Sequence, residues 1–300
     1  MSKKNNKEEL TELNKEIPQP IPFLDGIEQI KHTLKFLTQT GDIKYGIEIL
    51  DDSLDFITPG TVTLISATPN TGKSLIAQII CNNIAKQGQK VMYCSCEMSA
   101  GQLMLREFVR TMGVTKRQLV DGYKTHPTNT IQVLDIMKEK EDFSYVNNIM
   151  VQDIGSIHID DLIKIYDDYN DFKYIIVDYV QNLKGDGADE RNQFIDISKK
   201  LHNYAIRTGK SIIECAQIPK MTETEARTGK GIDFHKLRPM GSNQWEQDCD
   251  VLIKMAEDLE ENQRYILINL YKNRLGGKKM ITYKYIIDSR LNFVLQSRGV

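Results

Sequence analysis

A chain of 300 residues that is 40% apolar and 27% charged, with 19 Gly and 8 Pro, belongs to the folded globular class and not to the collagenous, low-complexity or disulfide-framework classes. Its 39 basic and 41 acidic residues leave a net charge of -2, so any nucleic-acid contact must come from a local patch and not from the whole-chain field. Five cysteines form no CxxC pair and five histidines form no HExxH, which removes the common zinc and thioredoxin readings. No apolar run approaches the roughly 20 residues of a bilayer span, and MSKKNNKEEL opens no secretory signal, so the expected place of action is a cytoplasm, away from membranes.

In chain order, residues 1–16 carry four Lys and four Glu among Asn and Thr and read as a disordered arm. Residues 17–44 read as a linker, stiffened by IPQPIPF and containing a short amphipathic helix over 27–39, with Ile27, Ile30, Leu34 and Leu37 on one face. That face can cover either its own domain or a neighbouring subunit. From 45 to 300 the chain reads as one domain. TVTLIS (61–66), KVMYCS (90–95), IMVQD (149–153), YIIVD (174–178) and SIIECAQ (211–217) alternate with helical patterns, which predicts an α/β fold with a mainly parallel sheet and helices on both faces. VLIKM, RYILINLY, ITYKYII and NFVLQ then follow with only turns between them, predicting a C-terminal antiparallel extension.

ATPNTGKS, spanning Ala67, Thr68, Pro69, Asn70, Thr71, Gly72, Lys73 and Ser74, lies directly after the first apolar run and before a helical stretch. Strand end, tight loop and helix N-terminus, in that order, make a phosphate-binding loop: backbone N–H groups and the helix dipole face the anion. Lys73 is placed to reach the β- and γ-phosphates, Ser74 to hold Mg²⁺, and Gly72 to admit the backbone close to the phosphate. Ala67 stands where the consensus has Gly. Three polar residues end other strands: Glu97, Asp178 and Gln217. Nucleotide hydrolysis needs an acid for Mg²⁺, a base for water and a sensor of the γ-phosphate, tasks that suit Asp178, Glu97 and Gln217 in turn. Each has an ordinary alternative, since a strand-end acid often caps the next helix, and Ser99 follows Glu97 as part of such a start.

ATPNTGKS, CSCEMSAGQL, YIIVDYVQNL, CAQI, RPMGSNQWEQDCDVLI and YKNRLGG resemble, in order and spacing, the RecA-like P-loop NTPase motor domain of DnaB-type replicative helicases. The resemblance covers about 45–296. It implies an ATP- and Mg²⁺-dependent ring, a homo-hexamer, that translocates 5′ to 3′ on single-stranded DNA during DNA replication, with primase or loader proteins as partners. It gives Glu97 the role of catalytic base, Asp178 the magnesium acid, Gln217 the link to DNA, and Lys272 and Arg274 the basic fingers that reach the neighbouring subunit's γ-phosphate. The alternative is a RecA-like recombinase, helicase-loading or switch ATPase that does not unwind.

Residues 218–244 have the composition of a long mobile loop, and the resemblance implies that such loops line the ring's pore. Lys220, Arg227, Lys230, Lys236 and Arg238 supply charge there, while backbone N–H groups near Gly241, Ser242 and Asn243 can follow successive phosphates. The Arg-Glu pair common to that family between RPM and EQD is absent. Trp245 stands where the family has an aliphatic residue, so packing is expected of it before base stacking. Lys278, Lys279 and Lys284 read as lysines protecting an edge strand. The residues before 45 are too few for the helical N-terminal domain of the bacterial enzymes.

Overall fold

The computed structural model describes residues 31, 34, 42–220, 227–228, 231–241, 243–260, 262–277, 279–288 and 291–299. Residues 1–41 and 42–300 form two units. In the first, only Lys31 and Leu34 are described, both helical; the expected disordered arm and most of the 27–39 helix lie outside the described residues.

The second unit is built on a nine-stranded sheet in the order β11-β10-β9-β8-β1-β5-β4-β2-β3. The strands are β1 (Val62–Ala67), β2 (Val91–Ser95), β3 (Ile149–Asp153), β4 (Tyr174–Asp178), β5 (Ser211–Gln217), β8 (Val251–Glu260), β9 (Gln263–Asn273), β10 (Ile281–Ile287) and β11 (Phe293–Arg298), with β6 (Arg227–Thr228) and β7 (Gly231–Ile232) pairing as a separate ribbon. The five runs expected to be parallel strands are β1 to β5, within one residue at each end. VLIKM departs from expectation. As β8 it runs parallel to β1, and the antiparallel extension starts only with β9. A ten-residue strand can do both: its first half pairs with β1, while its whole length pairs with β9.

Helices α1 (Glu48–Leu54), α2 (Lys73–Lys86), α3 (Ala100–Met112), α4 (Lys116–Thr125), α5 (Pro127–Lys138), α6 (Ile159–Asp168), α7 (Glu190–Thr208) and α8 (Gln244–Asp248) complete the unit. Period-two alternation along the central strands sends Ile65, Ile176, Ile213 and Ile253 into one core with α1 and α2. It sends Leu64, Val177, Ile212 and Leu252 into another with α6 and α7. A third, smaller core joins Phe234 and Leu237 to Ile218, Ala256 and Leu267. Residues 231–241 are therefore seated on β8 and β9, whereas their composition reads as a mobile loop; Gly and Pro content cannot register two buried anchors. Lys284 also departs from its expected edge role. β10 is an interior strand, and Lys284 is buried beneath the Tyr265 ring with an ion pair to Glu260. Lys279 is exposed, and Lys278 lies outside the described residues. No helix among the described residues is long and apolar enough to cross a membrane.

Candidate nucleotide site

β1 is buried along its whole length between β5 and β8, so the loop that follows it emerges from the middle of the sheet at its C-terminal edge. The loop is tight. Thr68 and Thr71 join hydroxyls at 2.8 Å, Asn70 takes φ 67°, and Gly72 takes φ 100°. A Cβ on Gly72 meets Phe293 Cζ at 3.2 Å, so conformation and space both select glycine. The Gly72 carbonyl accepts from Leu75 and Ile76, starting α2 at Lys73. No side chain caps this N-terminus and no acid stands in its first turn, which leaves helix-end N–H groups directed at an anion.

A cavity of about 440 Å³ opens above this loop, lined by Ala67 to Asn70, Gly72 to Leu75, Glu97, Met98, Arg106, Gln217 and Leu291. The fold thus brings to one space the phosphate loop and two of the three strand-end residues. Glu97 lies two residues past β2, while Ser99 takes the helix start, receiving Gln102 N–H in a capping box. Capping falls to the serine and leaves the Glu97 carboxylate to the cavity. Beside it, the Tyr179 phenol is pushed up by burial first and by Glu97 second.

Asp178, the third strand-end residue, is 4% exposed and lies beneath the cavity. Its Oδ2 accepts from Tyr93 at 2.8 Å, and its Oδ1 is buried without a hydrogen bond, 4.0 Å from Lys73 Nζ. Burial and the Asp178 carboxylate push the Tyr93 phenol well above its ordinary range, which keeps it a donor. Lys73 Nζ also stands 4.2 Å from the centre of the Tyr179 ring. Gln217 is tied in three directions. Its N–H donates to Gln181 Oε1 at 3.1 Å, its carbonyl accepts from Met240 N–H at 2.8 Å, and the next residue, Ile218, donates to the Ala67 carbonyl at 2.8 Å.

Lys272 and Arg274 are not brought to this cavity. They lie at the far end of β9, level with the start of β1: Lys272 pairs with Leu252, which pairs with Leu64, and Arg274 N–H donates to the Asp250 carbonyl. Lys272 Nζ donates to the carbonyls of Glu246, Gln247 and Cys249 at 2.6, 3.1 and 2.6 Å, and Arg274 Nη2 to Gln247 at 2.6 Å, so both close the C-terminal end of α8. Burial lowers the Lys272 pKa. Of the residues expected on DNA, Lys220, Lys236, Arg238, Gly241 and Asn243 are exposed or half-exposed, Arg227 is described only in its backbone strand, and Lys230 and Ser242 lie outside the described residues. Trp245 is buried against Phe194, with ring centroids 6.0 Å apart, which fulfils its expected packing role.

Sequence reading missed Arg106 and Leu291. Arg106 stands seven residues after the Ser99 cap, two turns along α3, and that spacing carries a legible signal. Leu291 arrives from the β10–β11 turn, which no local pattern connects to the phosphate loop.

A nine-stranded sheet with this loop at the end of its central parallel strand and polar residues at the neighbouring strand ends defines a P-loop NTPase of the RecA-like fold. The chain belongs to the DnaB-like helicase C-terminal domain family, whose profile matches residues 42–290. It is 26% identical over 241 residues to a probable plasmid replicative DNA helicase of Chlamydia trachomatis serovar L2, covering 77% of this chain and 50% of that protein. Among solved structures, an ATPase domain determined on its own superposes with a TM-score of 0.74 at 18% identity, covering 93% of this chain and 100% of that one. A DnaB-like replicative helicase solved for its interactions with primase superposes at 0.70 and 19% identity, covering 96% and 70%. The chain spans about half the length of the curated relatives it matches.

Proposed function

We propose that this chain is the ATP-hydrolysing motor of a ring-forming replicative DNA helicase that moves along single-stranded DNA, acting in the cytoplasm. The observation that carries this reading is a site split across the sheet: Lys73, Ser74, Glu97 and Gln217 share one cavity, while Lys272 and Arg274 stand at the opposite edge. A second copy, set head to tail, completes the cavity with those cations, as heterologous contacts in a closed ring allow. In this reading Lys73 and the helix N–H groups hold the β- and γ-phosphates of ATP, and Glu97 accepts a proton from the attacking water. Arg274 from the next subunit stabilises charge that develops on the transferring phosphoryl group. Gln217, whose carbonyl holds Met240, passes the state of the site to residues 231–241, which offer Lys236, Arg238, Gly241 and Asn243 to DNA together with Lys220.

The residues present fit a magnesium ion. Ser74 Oγ and the Asp178 Oδ1 that lacks a hydrogen bond are hard oxygen donors on either side of the loop, and Mg²⁺ held there neutralises the β- and γ-phosphates. The family does not favour the switch or recombinase alternative, which uses the same loop without fingers from a neighbour. A homo-hexamer and a primase or loader partner belong to the same proposal.

The test is ATP turnover with and without single-stranded DNA, for the wild type, Lys73→Ala and Arg274→Ala. Each variant alone is expected to lose at least about a hundredfold in kcat. Mixing the two restores part of the activity, because one intact site forms where a wild-type loop meets a wild-type finger. An inert mixture, or an indifferent Arg274→Ala, overturns the split site.

A further inference from the structure

A lysine inside the sheet joins the DNA-facing segment to the helix that anchors the fingers. Lys254, in the middle of β8, is 0% exposed. Its Nζ lies 2.9 Å from Glu246 Oε1 on α8, donates to the Phe234 carbonyl at 3.2 Å, and stands 3.5 Å from the centre of the Tyr271 ring on β9. Burial lowers its pKa, with Glu246 opposing that shift and Arg238 adding to it. Three separate pieces of chain therefore meet on one ammonium, and each supplies something a buried cation requires: a carboxylate, a carbonyl and an aromatic face.

Each piece continues to a functional element. Phe234 is an anchor of residues 231–241, whose Met240 N–H is tied to the Gln217 carbonyl and whose His235 Nδ1 meets the Tyr271 hydroxyl at 3.0 Å. Glu246 receives Lys254 on its carboxylate and Lys272 on its carbonyl, at 2.6 Å. Tyr271 immediately precedes Lys272. An enclosed ammonium cannot lose Phe234 or Glu246 without being left unpaired, so the segment and α8 are obliged to move together.

We propose that Lys254 is a positioning residue that makes residues 231–241 and α8 one mechanical body, so that a displacement of the segment on DNA is delivered to Lys272 and Arg274. The part of this that concerns DNA rests on the motor reading above; the link between segment and helix does not. Lys254 touches neither nucleotide nor DNA, and it differs in that respect from every residue placed in the site.

Hydrogen exchange of the unliganded chain reads the link directly. In the wild type, amides of 231–241 and of α8 are expected to open together. In Lys254→Met, which keeps the length of the side chain and removes the charge, and in Glu246→Gln, the 231–241 amides exchange at least about tenfold faster, while β1 and β5 are unchanged. ATP turnover then reads the consequence. Basal turnover is retained, stimulation by single-stranded DNA falls on the order of tenfold, and Lys254→Arg recovers part of it. Exchange of 231–241 that is indifferent to both variants overturns the link whatever DNA does. Equal loss of basal and stimulated turnover with a lowered Tm shows Lys254 to be a fold-holding residue only and overturns it as well. Wild-type turnover that ignores DNA overturns the motor reading instead, and the exchange result still decides the link.

Discussion

Glu97 and Ser99 show how a two-residue offset divides labour. The serine hydroxyl is the right length to accept from Gln102 N–H, so the helix start is satisfied without the carboxylate, and Glu97 is left beside the phosphate loop. Glu97→Gln is expected to lower kcat for ATP by about 10² to 10⁴ with nucleotide affinity retained, as pre-steady-state turnover and equilibrium binding check together. Glu214 poses a different problem in the same layer of the sheet. It is buried in the centre of β5, where burial first and the Asp248 carboxylate second push its pKa up to about 8, and its Oε1 has no hydrogen-bond partner. A carboxyl raised in the folded state binds its proton more tightly there than in the unfolded chain. Its contribution is therefore fully present below the unfolded pKa of about 4.5 and is lost as pH rises toward 8. Glu214→Gln is expected to flatten that decline and to gain on the order of a few kcal/mol at pH 8, read as Tm against pH for both proteins.

At the scale of elements, α8 is five residues long and cannot hold itself by its own hydrogen bonds. It is held from outside instead. Ser198 binds Asp248 at 2.7 Å, Lys254 binds Glu246, Lys272 and Arg274 take its last carbonyls, and Trp245 is driven into the core. Gly241, just before it, has φ 93°, and a Cβ there falls 2.0 Å from Phe194 Cδ2. Gly241→Ala is expected to cost about 1–3 kcal/mol and to lower the Tm by several degrees in a thermal melt, with turnover stimulated by DNA falling further than basal turnover. Composition made this stretch look mobile because Gly, Pro and Thr dominate it. Phe234 and Leu237 reverse that reading only once β8 and β9 supply the surface they cover.

For the whole molecule, the net charge of -2 confines DNA binding to a local set of cations, so the contact is sensitive to counterions while the fold is not. Stimulation of ATP turnover by single-stranded DNA is expected to weaken steeply between about 50 and 200 mM salt, with basal turnover nearly constant across the series. Residue order alone determined the parallel strands, the phosphate loop and the three strand-end side chains, because those signals are local: a buried run, a tight turn and a helix start lie within one stretch of chain. Tertiary structure alone decided that β8 pairs parallel with β1, that Arg106 and Leu291 complete the cavity, that Lys272 and Arg274 stand at the opposite edge from Lys73, and that Lys254 sits where three segments converge. Each of these depends on which distant strands become neighbours, and side-chain periodicity fixes the face of a strand without naming its partner.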